Sequence, residues 1–265
     1  MTKIGFHKIT IDLERNLFEE FSNSVSFEPT GKGRLCNHLV YEEKEGIPLV
    51  RTTTSFNKPA HHFSAKHGML ADKIKSHFEE IDHLASLNFN NALIEVYNQH
   101  YKKMKYHSDQ CLDIDKNSYI ALFSCYEKPE ELTEQSIRKL KVKDKDTDEE
   151  FEFELTHNSV VLFSVTTNTK YLHKIVLEPV KGLKPLTSDN RWLGITFRKS
   201  NTFIQFKDET PYLINGSRLK LADESQKKAF FELRGEENKN PNFVYPVLNY
   251  TISPADLLPP ISSKV

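Results

Sequence analysis

One short segment of the chain combines a histidine and an aspartate at a spacing that suits a metal ion. In KKMKYHSDQCLDID, residues 102–115, His107 and Asp109 are separated by one residue. In an extended segment both side chains point to the same side and can bind one ion. His77 and Glu79 share the spacing, but they fall in a predicted helix, where such positions do not share a face. A solvated loop remains the alternative for residues 102–115, because three-residue patterns often arise by chance.

A third ligand has to come from a later part of the chain, and two histidines are candidates. His157 lies in THNSVV, where a turn residue is the simpler interpretation. His173 lies in YLHKIVLEP, where Tyr171 and Ile175 would share its strand face, so a buried structural histidine is the alternative to a ligand. Two histidines and one carboxylate on one side of an ion form the facial triad of non-haem iron(II) oxygenases. The sequence is compatible with such a triad.

Two arginines bracket an apolar, strand-like run in the second half of the chain, DNRWLGITFRKS. Arg191 and Arg198 require an anionic partner if they are buried with that strand. A dicarboxylate suits them, because a carboxylate accepts two parallel hydrogen bonds from one guanidinium group. Metal ligands followed by such cations indicate an iron site that holds a 2-oxo acid.

Seven strand-like runs follow one another from residue 91 to about residue 200. Each run is short, rich in aromatic and β-branched residues, and separated from the next by Asp, Asn, Lys or Pro. In order they are ALIEVY, SYIALFSCY, IRKLKVK, EFEFEL, SVVLFSV, LHKIVLE and WLGITFR. The charged residues between IRKLKVK and EFEFEL are expected to form a hairpin tip. The pattern predicts an all-β sandwich or barrel.

Helices are predicted outside this β region. Apolar residues recur at helical spacing in residues 11–23 and 66–85, and residues 222–234 look helical and stop at Gly235. The predicted organisation is a single globular unit with three parts. These are helices and substrate-side loops over residues 1–90, a β core over residues 91–204, and a C-terminal extension over residues 205–265 packed on the core.

Composition is that of a globular protein and leaves its partners open. Of 265 residues 38% are hydrophobic and 28% charged, and the net charge of -1 gives no overall attraction to nucleic acid. Three cysteines without CxxC spacing argue against a disulfide framework or a cysteine-rich zinc site. Because no apolar run reaches membrane-spanning length and the first residues lack a signal-peptide core, the expected compartment is the cytoplasm, with no membrane partner.

In their order, these motifs resemble the landmarks of the AlkB-like 2-oxoglutarate and Fe(II)-dependent dioxygenases. The resemblance rests on LIEVY, YHSDQ, SYIALFS, NSVVLFS, YLHKI and DNRWLGITFRKS, and it covers residues 90–200. It extends more loosely to PLVRTTTSFNKPAHHFSAKH, at the place of that family's substrate-side loops. It implies a mainly β fold, a double-stranded β-helix of the jelly-roll type with flanking N-terminal helices. It also implies that Fe(II), 2-oxoglutarate and O2 are used to oxidise a C–H bond.

The resemblance further implies roles for single residues. The Fe(II) ligands would be His107, Asp109 and His173. The residues that bind 2-oxoglutarate would be Tyr97, Arg191 and Arg198.

Two positions depart from the family pattern. Glu95 stands where the family usually has asparagine, so its carboxylate has to face away from the cosubstrate or pair with a cation. The two arginines are seven positions apart instead of six. Such a spacing puts them on opposite faces of a regular strand, unless a bulge near Leu193 and Gly194 restores the register.

In the resembled family the usual reaction is oxidative dealkylation of a nucleobase, with release of formaldehyde. We therefore expect single-stranded or flipped-base DNA or RNA as the substrate. The candidate binding residues mix rings with cations, as base stacking and phosphate binding require; they are Phe56, His61, Phe63, Lys103 and Lys105. An ordinary solvated surface is the alternative. Two other functions remain open: a hydroxylase of a protein side chain or small molecule at the same iron site, and a non-catalytic β-barrel binding module.

Overall fold

The chain is mainly β-structure in the computed structural model, which describes residues 2–3, 5–82, 87–102, 104–179, 182 and 189–264. The strands are β1 (Thr2–Lys3), β2 (Phe6–Thr10), β3 (Glu28–Gly31), β4 (Arg34–Val40), β5 (Ile47–Pro48), β6 (His61–His62), β7 (Asn91–Tyr97), β8 (Tyr119–Tyr126), β9 (Lys139–Asp144), β10 (Glu150–Glu154), β11 (Ser159–Ser164), β12 (Tyr171–Val176), β13 (Trp192–Arg198), β14 (Phe203–Lys207), β15 (Thr210–Leu213), β16 (Lys220–Leu221) and β17 (Tyr250–Thr251). The helices are α1 (Phe18–Asn23), α2 (Ala65–Asp82), α3 (Val165–Lys170) and α4 (Glu224–Lys239), with 3₁₀ turns at Pro129–Glu131 and Pro254–Leu257.

Two sheets pack face to face and enclose one apolar core. The large sheet has the order β1-β2-β11-β8-β13-β7-β4-β3, and the small sheet has the order β10-β9-β12. Buried side chains of both sheets meet between them, Phe163 and Trp192 from the large sheet and Leu140 and Ile175 from the small one. All seven predicted strands are present, as β7 to β13. The predicted jelly-roll core of a double-stranded β-helix is therefore confirmed.

Helices α1 and α2 cover the outer face of the large sheet, where Phe21 and Leu70 pack against buried residues of the sheet strands. The helix predicted over residues 66–85 is confirmed as far as Asp82 by α2, and residues 83–85 lie outside the described residues. The helix predicted over residues 11–23 is wrong in its first half, because the amide of Asn16 donates to the main-chain carbonyls of Tyr126 and Glu127, at the end of β8, and its oxygen accepts the N–H of Phe18. In the described parts of the chain, no helix is long and apolar enough to cross a bilayer.

The first 90 residues contribute strands that were not predicted. β2 pairs with β11, and β4 pairs with β7 in an antiparallel ladder that runs from Arg34 opposite Tyr97 to Val40 opposite Asn91. The sequence of β4, RLCNHLV, hides the strand because polar residues interrupt its alternation. The large sheet is thus built from both the N-terminal region and the predicted β core.

The C-terminal extension is anchored to the core by a buried ion pair. Arg51 donates to both carboxylate oxygens of Asp113 and, through Nη1, to the carbonyls of Leu248 and Tyr250 at 2.9 and 3.0 Å. Within the extension, α4 continues five residues past the position where it was predicted to end, to Lys239.

Side-chain contacts stabilise both ends of α4. A capping box between Asp223 and Gln226 begins the helix. Near the other end, Arg234 donates to Glu237 across Gly235, and both side chains are buried. This pair continues the helix through a glycine that the sequence pattern interprets as its end.

Candidate metal centre

Two histidines and an aspartate converge on one point between the two sheets. His107 and His173 face each other in an isolated antiparallel bridge, in which each main-chain N–H donates to the carbonyl of the other residue at 3.0 and 2.6 Å. Their ring centroids are 4.7 Å apart. One ligand atom from each of these histidines and from Asp109 lies within 4.8 Å of the other two. His157 is elsewhere, its Nδ1 accepting the N–H of Tyr126.

The protonation of these side chains suits a metal ion. Nδ1 of His107 lies 3.0 Å from the carbonyl oxygen of Lys105, so this nitrogen carries the proton and Nε2 keeps a free lone pair. Burial, and then the neighbouring His173, lower the pKa of His107 to about 3. Burial alone would raise the pKa of Asp109, but Arg198 and His173 hold it well below its ordinary value. The site thus presents a neutral imidazole beside an ionised carboxylate.

The two carboxylate oxygens of Asp109 have different neighbours. Oδ2 accepts from Nε and Nη2 of Arg198 at 2.9 and 2.8 Å, whereas Oδ1 lies 3.4 Å from Nε2 of His173. Asn168 fixes the main chain of the aspartate, since its amide accepts from the N–H and donates to the carbonyl, both at 2.8 Å. Oδ1 is therefore the oxygen that can bind a metal beside the imidazole.

The loop that carries the histidine and the aspartate is also held by helix α4. The N–H and hydroxyl of Ser108 lie 3.1 and 3.2 Å from Oδ1 of Asn238. Arg234 donates to the carbonyl of Ser108, and Oε1 of Glu237 accepts the N–H of Cys111 at 2.7 Å. The C-terminal extension, for which the sequence indicated no role, therefore supports the candidate metal-binding loop.

The triad opens into a pocket between the two sheets. Its apolar walls are Leu93, Met104, Leu122, Leu140, Phe163 and Ile175. Its polar lining outside the triad is Arg34, Glu95, Thr196 and Arg198. Nη1 of Arg198 is buried there without a hydrogen-bond partner, which an anionic ligand would supply. The donor set and this guanidinium fit an iron ion together with an acid cosubstrate.

Arg191 lies outside this pocket. It pairs with Glu127 through Nε and Nη2 at 2.9 and 2.7 Å, and its side chain is 41% exposed. Of the two arginines that the resemblance assigns to 2-oxoglutarate, the structure therefore places Arg198 in the triad pocket and Arg191 outside it. The cause is the odd spacing on a regular strand, which turns the two side chains to opposite faces.

The bulge considered for β13 is not formed. β13 pairs with β7 without a register shift from Trp192 to Arg198. Gly194 has a different role, because a Cβ at this position would lie 2.1 Å from Cη2 of Trp192. The missing side chain makes room for the indole ring, which shares its strand face with Thr196 and Arg198.

Glu95 does reach the pocket, and it is paired with a cation. Its Oε1 accepts from Nε and Nη2 of Arg34 at 2.9 and 2.6 Å and from the hydroxyl of Tyr97 at 2.9 Å. Tyr97 is fully buried beneath Glu95, and its ring lies 4.7 Å from that of Trp192. Arg34 is a pocket residue that the sequence analysis missed, because it lies on the unrecognised strand β4.

The aromatic residues expected to bind a base lie away from the pocket. Phe56 is 4% exposed, with its ring centroid 4.6 Å from that of His38. His61 is buried, and its Nε2 accepts the N–H of Ser26 at 2.9 Å. Phe63 is half-buried against the core. None of the three is among the described residues that line the triad pocket.

The predicted cations lie nearer to the triad. Lys105 is exposed and sits between Met104 and His107, two residues that line the pocket. Lys102 is also exposed. Lys103 lies outside the described residues.

Comparison with known proteins identifies the family. Residues 27–198 match the model of the 2OG-Fe(II) oxygenase superfamily, and this range contains all three residues of the triad. The chain belongs to this superfamily, whose members use Fe(II), 2-oxoglutarate and O2. It is therefore an oxidoreductase of the Fe(II)/2-oxoglutarate-dependent dioxygenase class, as the sequence predicted.

Solved structures show a similar fold at low sequence identity. OsALKBH1 has a TM-score of 0.51 and 12% identity, over 75% of this chain and 98% of that chain. A prolyl-4-hydroxylase of Pseudomonas putida has a TM-score of 0.42 and 14% identity, over 74% of this chain and 93% of that chain. No curated protein matches the chain in sequence. The fold of the AlkB homologue agrees with the AlkB-like resemblance of the sequence motifs.

Proposed function

We propose that this dioxygenase removes alkyl groups oxidatively from nucleobases of DNA or RNA. The observation that carries the substrate class is the exposed Lys105, which lies between two residues that line the triad pocket. A cation at this position attracts the phosphates of a strand whose base enters the pocket. The motif resemblance to AlkB-like enzymes supports the same substrate class.

In this proposal the triad holds Fe(II), which supplies the oxidation of a substrate C–H bond together with 2-oxoglutarate and O2. Arg198 has two tasks: it fixes Oδ2 of Asp109, and its unpartnered Nη1 binds an oxygen of the cosubstrate. Tyr97 acts through Glu95, which its hydroxyl holds in place. The apolar walls of the pocket exclude water from the reacting C–H bond.

A second candidate is hydroxylation of a protein side chain or a small molecule at the same site. It is favoured by the positions of Phe56 and His61, which are buried away from the triad pocket and offer no stacking surface to a base there. The third alternative, a non-catalytic binding module, has lost its support, because the chain belongs to an enzyme family and carries a complete triad.

The test is a turnover assay with single-stranded DNA and RNA oligonucleotides that carry N-methylated bases, Fe(II) and 2-oxoglutarate, analysed by mass spectrometry. The proposal predicts dealkylated product and formaldehyde in equal amounts, both lost in Asp109→Ala. Increasing salt should reduce turnover, more so in wild type than in Lys105→Ala. Turnover of peptides or small acids, with no formaldehyde from any oligonucleotide, would favour the second candidate.

A further inference from the structure

We infer that Arg34 binds the terminal carboxylate of 2-oxoglutarate, the one that is separated from the keto group by two methylene groups. The inference rests on the proposed function, since it concerns the cosubstrate of the same site. It assigns this contact to a residue of β4, whereas the resemblance of the sequence motifs gave Arg191, before β13, as a residue that binds 2-oxoglutarate. Three observations support it: the cations that line the pocket, the position of Arg34 in a row of residues across the sheet, and the ion pair that holds Arg34 in place.

The first observation is the number of cations available. In the described lining of the triad pocket, the guanidinium groups are those of Arg34 and Arg198. Two nitrogens of Arg198 are taken by Asp109. Arg191 is on the surface with its own acid, Glu127. A dicarboxylate that reaches from the triad to a second cation therefore has Arg34 as its partner.

The second observation is the row in which Arg34 stands. In the paired strands Arg34 lies opposite Tyr97 of β7, and Tyr97 lies opposite Trp192 of β13. Trp192 is six positions before Arg198, where the family motif has its arginine. In this chain an indole occupies that position and packs on Tyr97. The cation stands in the same row of the sheet, two strands further on.

The third observation is the partner that holds Arg34 in place. Its Nε and Nη2 donate to Glu95, which leaves the N–H groups of Nη1 for another acceptor. Its guanidinium carbon lies 6.0 and 5.8 Å from the ring centroids of Tyr97 and Tyr101. The side chain is 17% exposed and is thus oriented by contacts on several sides. Such fixed orientation suits a guanidinium that recognises a carboxylate.

The two departures from the family motif then explain each other. A largely buried arginine at position 34 requires an anion before the cosubstrate binds. Glu95 supplies that anion, which an asparagine at this position could not do. With the pairs Arg34–Glu95 and Arg198–Asp109 each neutral, a divalent metal and a doubly charged cosubstrate enter together without leaving net charge in the pocket.

The experiment measures ligand binding by isothermal titration calorimetry to protein loaded with Mn(II), which replaces Fe(II) and avoids turnover. Two ligands are compared: 2-oxoglutarate and 2-oxopentanoate, which has the same carbon chain without the terminal carboxylate. The wild-type protein should bind 2-oxoglutarate more tightly than 2-oxopentanoate. In Arg34→Gln, 2-oxoglutarate should bind about 10- to 100-fold more weakly, because a charge-assisted contact is lost. Binding of 2-oxopentanoate should not change.

Arg191→Gln is the matched control, and it should leave the affinity for both ligands unchanged. In the single variant Arg34→Gln the buried carboxylate of Glu95 is left unpaired. A second variant, Arg34→Gln combined with Glu95→Gln, removes this charge and should show the same loss of affinity for 2-oxoglutarate. The inference is overturned if Arg34→Gln keeps wild-type affinity for 2-oxoglutarate, if it weakens both ligands equally, or if Arg191→Gln produces the loss. A wild-type protein that binds no Mn(II) would instead refute the proposed function on which the inference rests.

Discussion

Arg198 binds Asp109 through one carboxylate oxygen, and the other carboxylate oxygen lies beside His173. Both hydrogen bonds end on Oδ2, while Oδ1 stays beside Nε2 of His173. The arginine therefore leaves the ligand oxygen free while it stabilises the ionised form of the aspartate, whose pKa it holds down against the effect of burial. In the proposed function, this one guanidinium therefore serves both the metal and the cosubstrate.

Arg198→Gln should therefore weaken two binding events together. We expect the affinity for Mn(II) to fall by about 10- to 100-fold, because the aspartate loses the partner that orients it and stabilises its charge. The affinity for 2-oxoglutarate should also fall. Calorimetric titrations of both ligands test this, with Arg34→Gln as the control that keeps normal Mn(II) affinity. Unchanged Mn(II) affinity in Arg198→Gln would show that the ion pair does not orient Asp109 for metal binding.

Helix α4 should contribute to metal affinity although it lies outside the predicted β core. Asn238→Ala removes the acceptor for the N–H and hydroxyl of Ser108, so the loop between the two ligands loses two contacts. We expect Mn(II) to bind about 10-fold more weakly, the lower end of the range for residues that support metal ligands. Lys228→Ala, on an 80%-exposed side chain of the same helix, should have no effect. Equal affinities in the two variants would exclude this role.

The ion pair of Arg51 and Asp113 should be important for stability, since both side chains are buried, at 4% and 0% exposure. Asp113→Ala leaves the guanidinium without its anion, and we expect the free energy of unfolding to fall by about 3–5 kcal/mol. Glu127→Ala breaks the exposed pair with Arg191 and should cost about 0–1 kcal/mol. Urea denaturation curves measure both values. Similar small decreases of the unfolding free energy in the two variants would contradict the importance of the Arg51–Asp113 pair for stability.

Asp256 should make the stability of the protein depend on pH. Burial raises the pKa of this carboxyl from 3.8 to about 7, although Thr251 donates a hydrogen bond to it. Because the folded state holds the proton more tightly than the unfolded state, the stabilisation is full below about pH 4 and is lost as the pH rises through 7.

Asp256→Asn should remove this dependence. Melting temperatures at pH 5 and pH 8 test this prediction. From pH 5 to pH 8 the melting temperature of the wild-type protein should fall further than that of the variant, by about 2–4 °C for each kcal/mol of stability that the ionised carboxyl costs. Parallel pH profiles for the two proteins would show that Asp256 titrates normally.

The sequence was sufficient for the parts of the fold and site that follow a local pattern. The seven strands of the β core alternate or run apolar over their whole length, and His107 and Asp109 lie on one short segment. Asn16 and Glu237 show where local patterns fail, because their hydrogen bonds reach residues about a hundred positions away. The contacts of Asn16 replace the first half of the predicted first helix, and the contact of Glu237 ties the last turn of α4 to the metal-binding loop.

The polar end of the pocket could not be predicted for a related reason. Arg34 reaches Glu95 through the pairing of two strands that are far apart in sequence, and nothing in RLCNHLV marks the strand or its partner. A bulge near Leu193 and Gly194 was one of two alternatives in the sequence, whereas in the structure the missing side chain of Gly194 accommodates the ring of Trp192. A motif is visible in the sequence, but a residue that strand pairing brings beside it is visible only in the sheet.

The most direct test of the account is the formation of succinate from 2-oxoglutarate by the purified protein, measured with and without Fe(II). We predict succinate formation that requires Fe(II) and O2 and is abolished in Asp109→Ala, while the variant keeps its folded structure by circular dichroism. Succinate formation that is independent of Fe(II), or that persists in Asp109→Ala, would contradict the assignment of the triad as the iron site.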